Sequence, residues 1–264
     1  MPVCDAMDGK PLIEVENLRV VYRRPGRPPL EAVKGVSFTL AAGETLGVVG
    51  ESGSGKSTIA RTLVGLLKPA SGTVTIRAKS VQMVFQDAAG SLNPRMTVRQ
   101  SLSEALRFHV SRVGEDAVQS PPERRRPEGL LDLVGLSDAV LDQYPRELSG
   151  GQCQRVSIAR ALAMEPEVLV ADEPVSALDV SVQARILNLL RDLRRELGLS
   201  VLLVAHDLAV VRNVCDRVCV MCQGEFVDVG PAEDVFNNPQ SDYTKRLLAA
   251  VPDVARALAA RSKI

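Results

Sequence analysis

The sequence lacks three things that would point to other classes of protein. It has no net charge: 32 Lys and Arg are matched by 32 Asp and Glu, so the overall balance lends no support to binding a nucleic acid or an anionic membrane. It has no long apolar run: no stretch approaches the ~20 residues that a bilayer-spanning helix needs, and residues 1–17 carry no apolar core of signal-peptide length. The expectation is a cytoplasmic chain, for which any membrane role must come through a partner. Cysteine is also sparse, five in 264 residues. Three of them, Cys215, Cys219 and Cys222, have C-x₃-C-x₂-C spacing, which can hold an iron–sulfur cluster. The residues around them argue otherwise. Arg217 to Val229 alternates like a strand, turns at Gln223-Gly224 and returns as a hairpin. Cys219 and Cys222 stand an odd number apart, so a strand points them to opposite faces. Buried free thiols are expected, and no cluster.

What is present is an ordinary globular composition, 45% hydrophobic and 24% charged, long enough for one large domain with a subdomain. The stretch that organises it begins with the apolar run Thr45 to Val49. Gly50-Glu51-Ser52-Gly53-Ser54-Gly55-Lys56-Ser57-Thr58 follows, and then Ile59, Leu63, Leu66 and Leu67 at helical spacing. Strand, glycine-rich loop and helix in that order fit G-x-x-x-x-G-K-[ST]. Glycines let the backbone turn a row of N–H groups toward phosphate oxygens, and the positive end of the helix dipole adds to the attraction. Lys56 can reach the β- and γ-phosphates, and the Ser57 hydroxyl can sit on Mg²⁺. At ordinary glycine usage the pattern arises by chance in roughly one chain in a hundred of this size.

Upstream, Leu12 to Arg23 and Ala32 to Leu40 read as strands joined by a Pro/Gly/Arg loop, with Tyr22 ending the first. Downstream, Thr73 to Ile76 and Val81 to Phe85 read as strands, the second ending at Gln86. From Asp87 to about Gln152 the strand signal disappears. Thr97 to Val110 and Glu128 to Leu136 have helical periodicity, joined by a polar connector, which predicts a helical insertion into an α/β core. Leu148-Ser149-Gly150-Gly151-Gln152 precedes a helix over Cys153 to Met164, with Ser149 as a plausible N-cap; the chain thus has a second helix start suited to an anion. Val168 to Ala171 reads as a strand buried on both faces and ends in Asp172-Glu173. An amphipathic helix spans Ser181 to Leu197, and Ser200 to Ala205 is a further buried strand ending at His206.

Ligands of parallel α/β sheets bind outside the carboxyl ends of the strands. That rule gathers the phosphate loop, Gln86, Asp172-Glu173 and His206 at one edge. Asp172 would then hold Mg²⁺ with Ser57. Glu173, one residue on, is the candidate base for an attacking water. Gln86 can touch the metal or that water, and His206 the γ-phosphate.

These motifs, together with Ser176-Ala177-Leu178-Asp179, resemble the full series of an ABC transporter ATPase, in the right order along nearly the whole chain. Val84-Phe85-Gln86-Asp87 with Ser91 to Val98, and Asn238-Pro239-Gln240 with Asp242-Tyr243-Thr244 and Leu247 to Pro252, resemble the dipeptide, oligopeptide and nickel importer ATPases. The resemblance implies a P-loop NTPase fold with a RecA-like mixed sheet, an N-terminal antiparallel β-subdomain and an inserted helical signature subdomain. It implies one domain over 1–264: residues 12–86 and 153–230 as core with the antiparallel part, 87–152 helical, 231–264 a helical tail. ATP and Mg²⁺ would bind at residues 50–58 with Tyr22 stacked on adenine. Ser149, Gly150, Gly151 and Gln152 would contact the ATP of a second ABC ATPase subunit, same or related, in a head-to-tail dimer, and Asp179 would communicate across it. Two transmembrane permease subunits and, indirectly, an extracytoplasmic solute-binding protein complete the implied complex, on the cytoplasmic face of the inner membrane and without nucleic acid.

Three departures from the family pattern stand out. Only Arg77 to Ser80 lies between Ile76 and Val81, which predicts a trimmed antiparallel subdomain. Cys153 replaces a basic or polar residue after the signature, with weakened contacts near the shared nucleotide as the expected effect. The sequence runs only a short way past Val251-Pro252, and the expectation is that the cysteine-bearing extension of some relatives is absent, with no iron–sulfur cluster. Two other classes compete with the importer: a soluble ABC ATPase acting on DNA or ribosomes, which would carry a coiled-coil or zinc insert, and a catalytically weak partner subunit, against which Lys56, Gln86, Glu173 and His206 speak.

Overall fold

A computed structural model of the chain describes residues 9–250 apart from 24, 27 and 177. In order it runs β1 (Ile13–Tyr22), β2 (Leu30–Leu40), β3 (Thr45–Val49), α1 (Lys56–Leu63), β4 (Ser71–Ile76), β5 (Val81–Val84) and α2 (Ala88–Ser91). Then come α3 (Val98–Val113), α4 (Pro127–Leu133), α5 (Gly150–Leu162), β6 (Val168–Asp172), α6 (Val180–Leu197) and β7 (Ser200–Ala205). The described residues end with α7 (Leu208–Arg212), β8 (Arg217–Cys222), β9 (Glu225–Pro231), α8 (Ala232–Asn237) and α9 (Asp242–Ala250). The motif element running to Pro252 extends beyond the described residues.

The strands form two sheets. β2, β1 and β4 make an antiparallel sheet in that order, and the other six are ordered β5-β6-β7-β3-β8-β9. Five strands of the larger sheet run parallel, and β9 pairs antiparallel with β8 as the expected hairpin. Alternation along each parallel strand sends successive side chains to opposite faces. Leu46, Val48, Val168, Val170, Leu202, Val204, Cys219 and Met221 pack with α1 and the antiparallel sheet. Val49, Leu169, Ala171, Val201, Leu203, Val218 and Val220 pack with α5, α6 and the helices of the insertion. Both faces of the sheet are therefore covered, which is why its strands read as continuous apolar runs.

Between β5 and β6 the described chain contains no strand. α3 opens with a capping box, Thr97 Oγ1 accepting from the Gln100 amide and the Gln100 side chain from the Thr97 amide; such a cap contributes about 1 kcal/mol. Among the described residues no helix is long and apolar enough to cross a membrane, and no group of three or more His, Cys, Asp or Glu could hold a metal ion. Cys219 is fully buried on one face of β8 while Cys222, on the other, is half-buried; Cys215 is buried as well. The three thiols share no site.

Candidate active site

The strand order sets the site. β5, β6, β7 and β3 are neighbours and parallel, so Gln86, Asp172-Glu173, His206 and Gly50 emerge side by side at one edge of the sheet. At Gly50 a Cβ would lie 2.1 Å from the Met221 carbonyl oxygen, and at Gly55, with φ +113°, one would lie 2.3 Å from the Ala32 carbonyl oxygen. Both clashes are with backbone, so the two glycines fix the path of the loop as well as its freedom. Lys56 opens α1 and is only 3% exposed. Its ammonium donates to the carbonyls of Gly50 and Glu51, each at 2.8 Å, and stands 3.9 Å from Glu173 Oε1. Burial lowers its pKa, opposed by the carboxylates of Glu173, Asp172 and Glu51.

Ser57 Oγ donates to Asp172 Oδ1 at 2.7 Å, and Asp172 is 2% exposed. Burial pushes the Asp172 carboxyl above its ordinary range, against the Ser57 hydrogen bond and the charges of Arg61 and Lys56. A hydroxyl and a carboxylate in contact are hard oxygen donors, the set that Mg²⁺ takes when phosphate and water complete its shell. The residues present fit that ion.

Glu173 is held through both its backbone and its carboxylate. Its φ is +46°, a left-handed conformation that a non-glycine residue adopts only when its surroundings impose it. Its amide donates to the Val204 carbonyl at 3.0 Å, fastening the turn to β7. Its carboxylate accepts from Gln86 Nε2 at 2.8 Å and lies 3.8 Å from His206 Nδ1. Lys56, Gln86 and His206 thus face one carboxylate, beside the Ser57–Asp172 pair. Gln86 is further tied to the Ser176 hydroxyl at 3.3 Å.

Tyr22, at the end of β1, reaches the loop through a 3.2 Å contact between its hydroxyl and Thr58 Oγ1. The signature residues stand apart. Ser149 caps α5 in a capping box with Gln152, and no hydrogen bond or ion pair among the described residues joins Ser149, Gly150, Gly151 or Gln152 to the phosphate loop. A Cβ on Gly151 would lie 2.7 Å from Val182 Cγ1 and one on Gly150 3.2 Å from Leu178 Cδ2, so both glycines let α5 pack against the start of α6. That start is capped by Asp179, which accepts from Val182 N at 3.1 Å and Ser181 Oγ at 2.8 Å. The Ser181 hydroxyl, ahead of the Val182 amide, lowers its pKa.

Cys153 corrects one expectation. It is 2% exposed, packs into the core, and its Sγ lies 3.5 Å from the Pro145 carbonyl. A thiol on the inward face of α5 offers no surface to a shared nucleotide. One contact escaped sequence reasoning altogether. The Tyr243 hydroxyl, on α9, accepts from the Glu51 amide at 3.0 Å; Asp242-Tyr243-Thr244 stood out in the sequence only as a family mark.

A protein-family model described as ABC transporter matches residues 33–176, and the chain belongs to that family: it is an ABC-type ATPase that binds ATP. Its particular neighbours are transport ATP-binding proteins. It is 45% identical over 266 residues to the oligopeptide transport ATP-binding protein OppF of Escherichia coli (strain K12), covering 92% of this chain and 78% of that one. It is 46% identical over 238 residues to OppF of Lactococcus lactis subsp. lactis (strain IL1403), covering 84% and 73%. The glutathione import ATP-binding protein GsiA of Escherichia coli (strain K12) is 45% identical over 269 residues, which cover 93% of this chain and 42% of GsiA. Among solved structures, the dimeric post-hydrolysis state of the ATP-binding cassette MJ0796 bound to ADP and Pi matches with a TM-score of 0.70 and 30% identity, covering 83% of this chain and 98% of that one. The cassette cbiO1 from Clostridium perfringens, part of the ABC transporter complex cbiONQ, matches with a TM-score of 0.71 and 28% identity over 95% and 99%.

Proposed function

We propose that the chain is the ATP-hydrolysing subunit of an importer for peptides or a related small solute. The observation that carries the catalytic part is the convergence of Lys56, Gln86 and His206 on the Glu173 carboxylate, beside the Ser57–Asp172 pair. The names of its relatives, OppF and GsiA, supply the class of solute. Residues 50–58 cradle the ATP phosphates, with Lys56 on the β- and γ-phosphates and Tyr22 against the adenine. Ser57 and Asp172 hold Mg²⁺, which when bound neutralises phosphate charge. Glu173 accepts a proton from the attacking water and orients it, Gln86 holds that carboxylate, and His206 steadies the γ-phosphate side of the attack.

The second capped helix start, at Ser149 to Gln152, serves the nucleotide of a partner ATPase in a head-to-tail dimer, with Asp179 at the seam. The dimeric structure of the cassette MJ0796 supports this arrangement. The membrane partners dock on a cavity of about 460 Å³ between β5, α3 and α5. Phe85 and Phe108 on its wall are 38% and 59% exposed, an apolar surface suited to a short helix from a permease subunit. Two permeases then hold the chain at the cytoplasmic face of the membrane, and a solute-binding protein delivers cargo to them.

The test is to recover the tagged full-length chain from membranes and assay the complex in vesicles. The reading expects two integral membrane proteins to co-purify and ATP turnover to rise when peptide-loaded binding protein is supplied. Recovery without membrane subunits, or turnover indifferent to peptide, contradicts it.

A further inference from the structure

The peptide bond between Gly50 and Glu51, at the mouth of the phosphate loop, is gripped at both ends by side chains. Its carbonyl oxygen accepts from Lys56 Nζ at 2.8 Å, and its N–H donates to the Tyr243 hydroxyl at 3.0 Å. The next carbonyl, that of Glu51, takes a second Lys56 hydrogen at 2.8 Å. Two successive carbonyls therefore aim the lysine, and the plane of the first is set from the other side by a tyrosine 192 residues further along the chain. That plane needs setting. A glycine precedes it, at φ +153°, where the absence of a Cβ leaves the backbone freer to rotate than at any other residue.

Tyr243 is itself held firmly. Asp228 on β9 is 8% exposed and accepts from the amides of Gln240 at 3.2 Å and Ser241 at 3.0 Å and from the hydroxyl of fully buried Thr244. Ser241 Oγ in turn accepts from the Tyr243 amide at 3.1 Å. The first turn of α9 is thus pinned to the sheet, and the Tyr243 ring packs against the main core. Burial pushes the phenol pKa upward, so at neutral pH the group stays a neutral hydroxyl whose lone pair is available to the amide.

We propose that Tyr243 is a positioning residue for ATP binding: it locks the Gly50–Glu51 peptide in the orientation that offers its carbonyl to Lys56, and so sets where the ammonium meets the phosphates. The inference rests on reading residues 50–58 as the phosphate cradle. Helix α9 then belongs to the nucleotide site of the same subunit, as a brace behind its phosphate loop.

The experiment compares full-length wild type with Tyr243→Phe, which keeps the ring and removes the acceptor, and with Thr244→Val, which loosens the hold of Asp228 on α9. ATP affinity is measured by calorimetry with Mg²⁺, turnover by phosphate release, and exchange at the Glu51 amide by hydrogen–deuterium mass spectrometry. Both variants are expected to bind ATP about three- to tenfold more weakly, the scale of one lost hydrogen bond, with kcat within twofold and faster exchange at Glu51. Wild-type affinity and unchanged Glu51 exchange in Tyr243→Phe overturn the proposal. So does a variant that only melts earlier, with affinity and exchange intact. A wild-type chain that binds no ATP strikes the cradle reading instead.

Discussion

Asp172 is a carboxylate kept where charge is disfavoured, and its removal should stabilise the protein while ruining its use of metal. Asp172→Asn preserves shape and an acceptor for the Ser57 hydroxyl. Burial, the largest influence on this carboxyl, raises its pKa above the ordinary 3.8. An acid whose pKa is higher folded than unfolded binds protons on folding. Its ionisation therefore costs stability above the folded pKa, and the cost is relieved as pH falls through that value. Removing the charge should return on the order of 1 kcal/mol, the usual gain when a functional strain is relieved, or about 2–4 °C in Tm for a chain of this size. Ligand acts in the opposite direction. ATP with Mg²⁺ at a hundred times its Kd stabilises by about 2.7 kcal/mol, and the part of that gain due to the ion requires the carboxylate. The assay is thermal unfolding at neutral pH with no nucleotide, with ATP and EDTA, and with ATP and Mg²⁺. The variant should melt above wild type in the first condition and below it in the third, with its second and third curves alike. A variant that melts lower without nucleotide, or keeps the wild-type response to Mg²⁺, refutes the argument.

Three further outcomes are expected. Gly55→Ala puts a Cβ 2.3 Å from the Ala32 carbonyl at φ +113°, so it should lose about 3 kcal/mol or more in chemical denaturation and most of its ATP binding; wild-type values would show that the loop has another path. Gly151→Ala pushes on Val182 Cγ1 at 2.7 Å and should cost about 1–3 kcal/mol, largely recovered by adding Val182→Ala; no recovery would mean that the glycine answers to something else. Burial raises the thiol pKa values of Cys153 and Cys215 and encloses Cys219, so brief alkylation of the native protein should mark Cys222 among these four. Peptide mapping that finds Cys153 or Cys219 labelled equally fast would contradict their burial.

The fold was legible where local chemistry and tertiary packing agree. Strand, glycine loop and helix around Lys56, the buried runs ending at Asp172 and His206, and the β8–β9 hairpin all announce themselves because one period or one turn signal decides each. Boundaries shifted where a partner decides instead. β2 begins at Leu30 rather than Ala32 because Leu30 pairs with Tyr22 across the sheet. α5 begins at Gly150 rather than Cys153 because the Ser149–Gln152 capping box satisfies the first turn despite two glycines. α1 stops at Leu63, and Leu66, which helical spacing had included, is 58% exposed. The strand-end rule brought Gln86, Glu173 and His206 to one edge, but it could not show that Gln86 and His206, with Lys56, all face the Glu173 carboxylate. It said nothing of Tyr243, since a contact spanning 192 residues has no local signature. Nor could it tell that Cys153 points inward, because that depends on which face of α5 meets the insertion.

The account stands on Glu173, held left-handed and faced by Lys56, Gln86 and His206, as the base for water attack. The direct measurement is ATP turnover of the full-length Glu173→Gln chain, taken with its ATP affinity and its size in solution with ATP and Mg²⁺. Turnover should fall at least a hundredfold, as loss of a general base requires, while affinity is retained and ATP-bound dimers accumulate. Hydrolysis within a few-fold of wild type would contradict it.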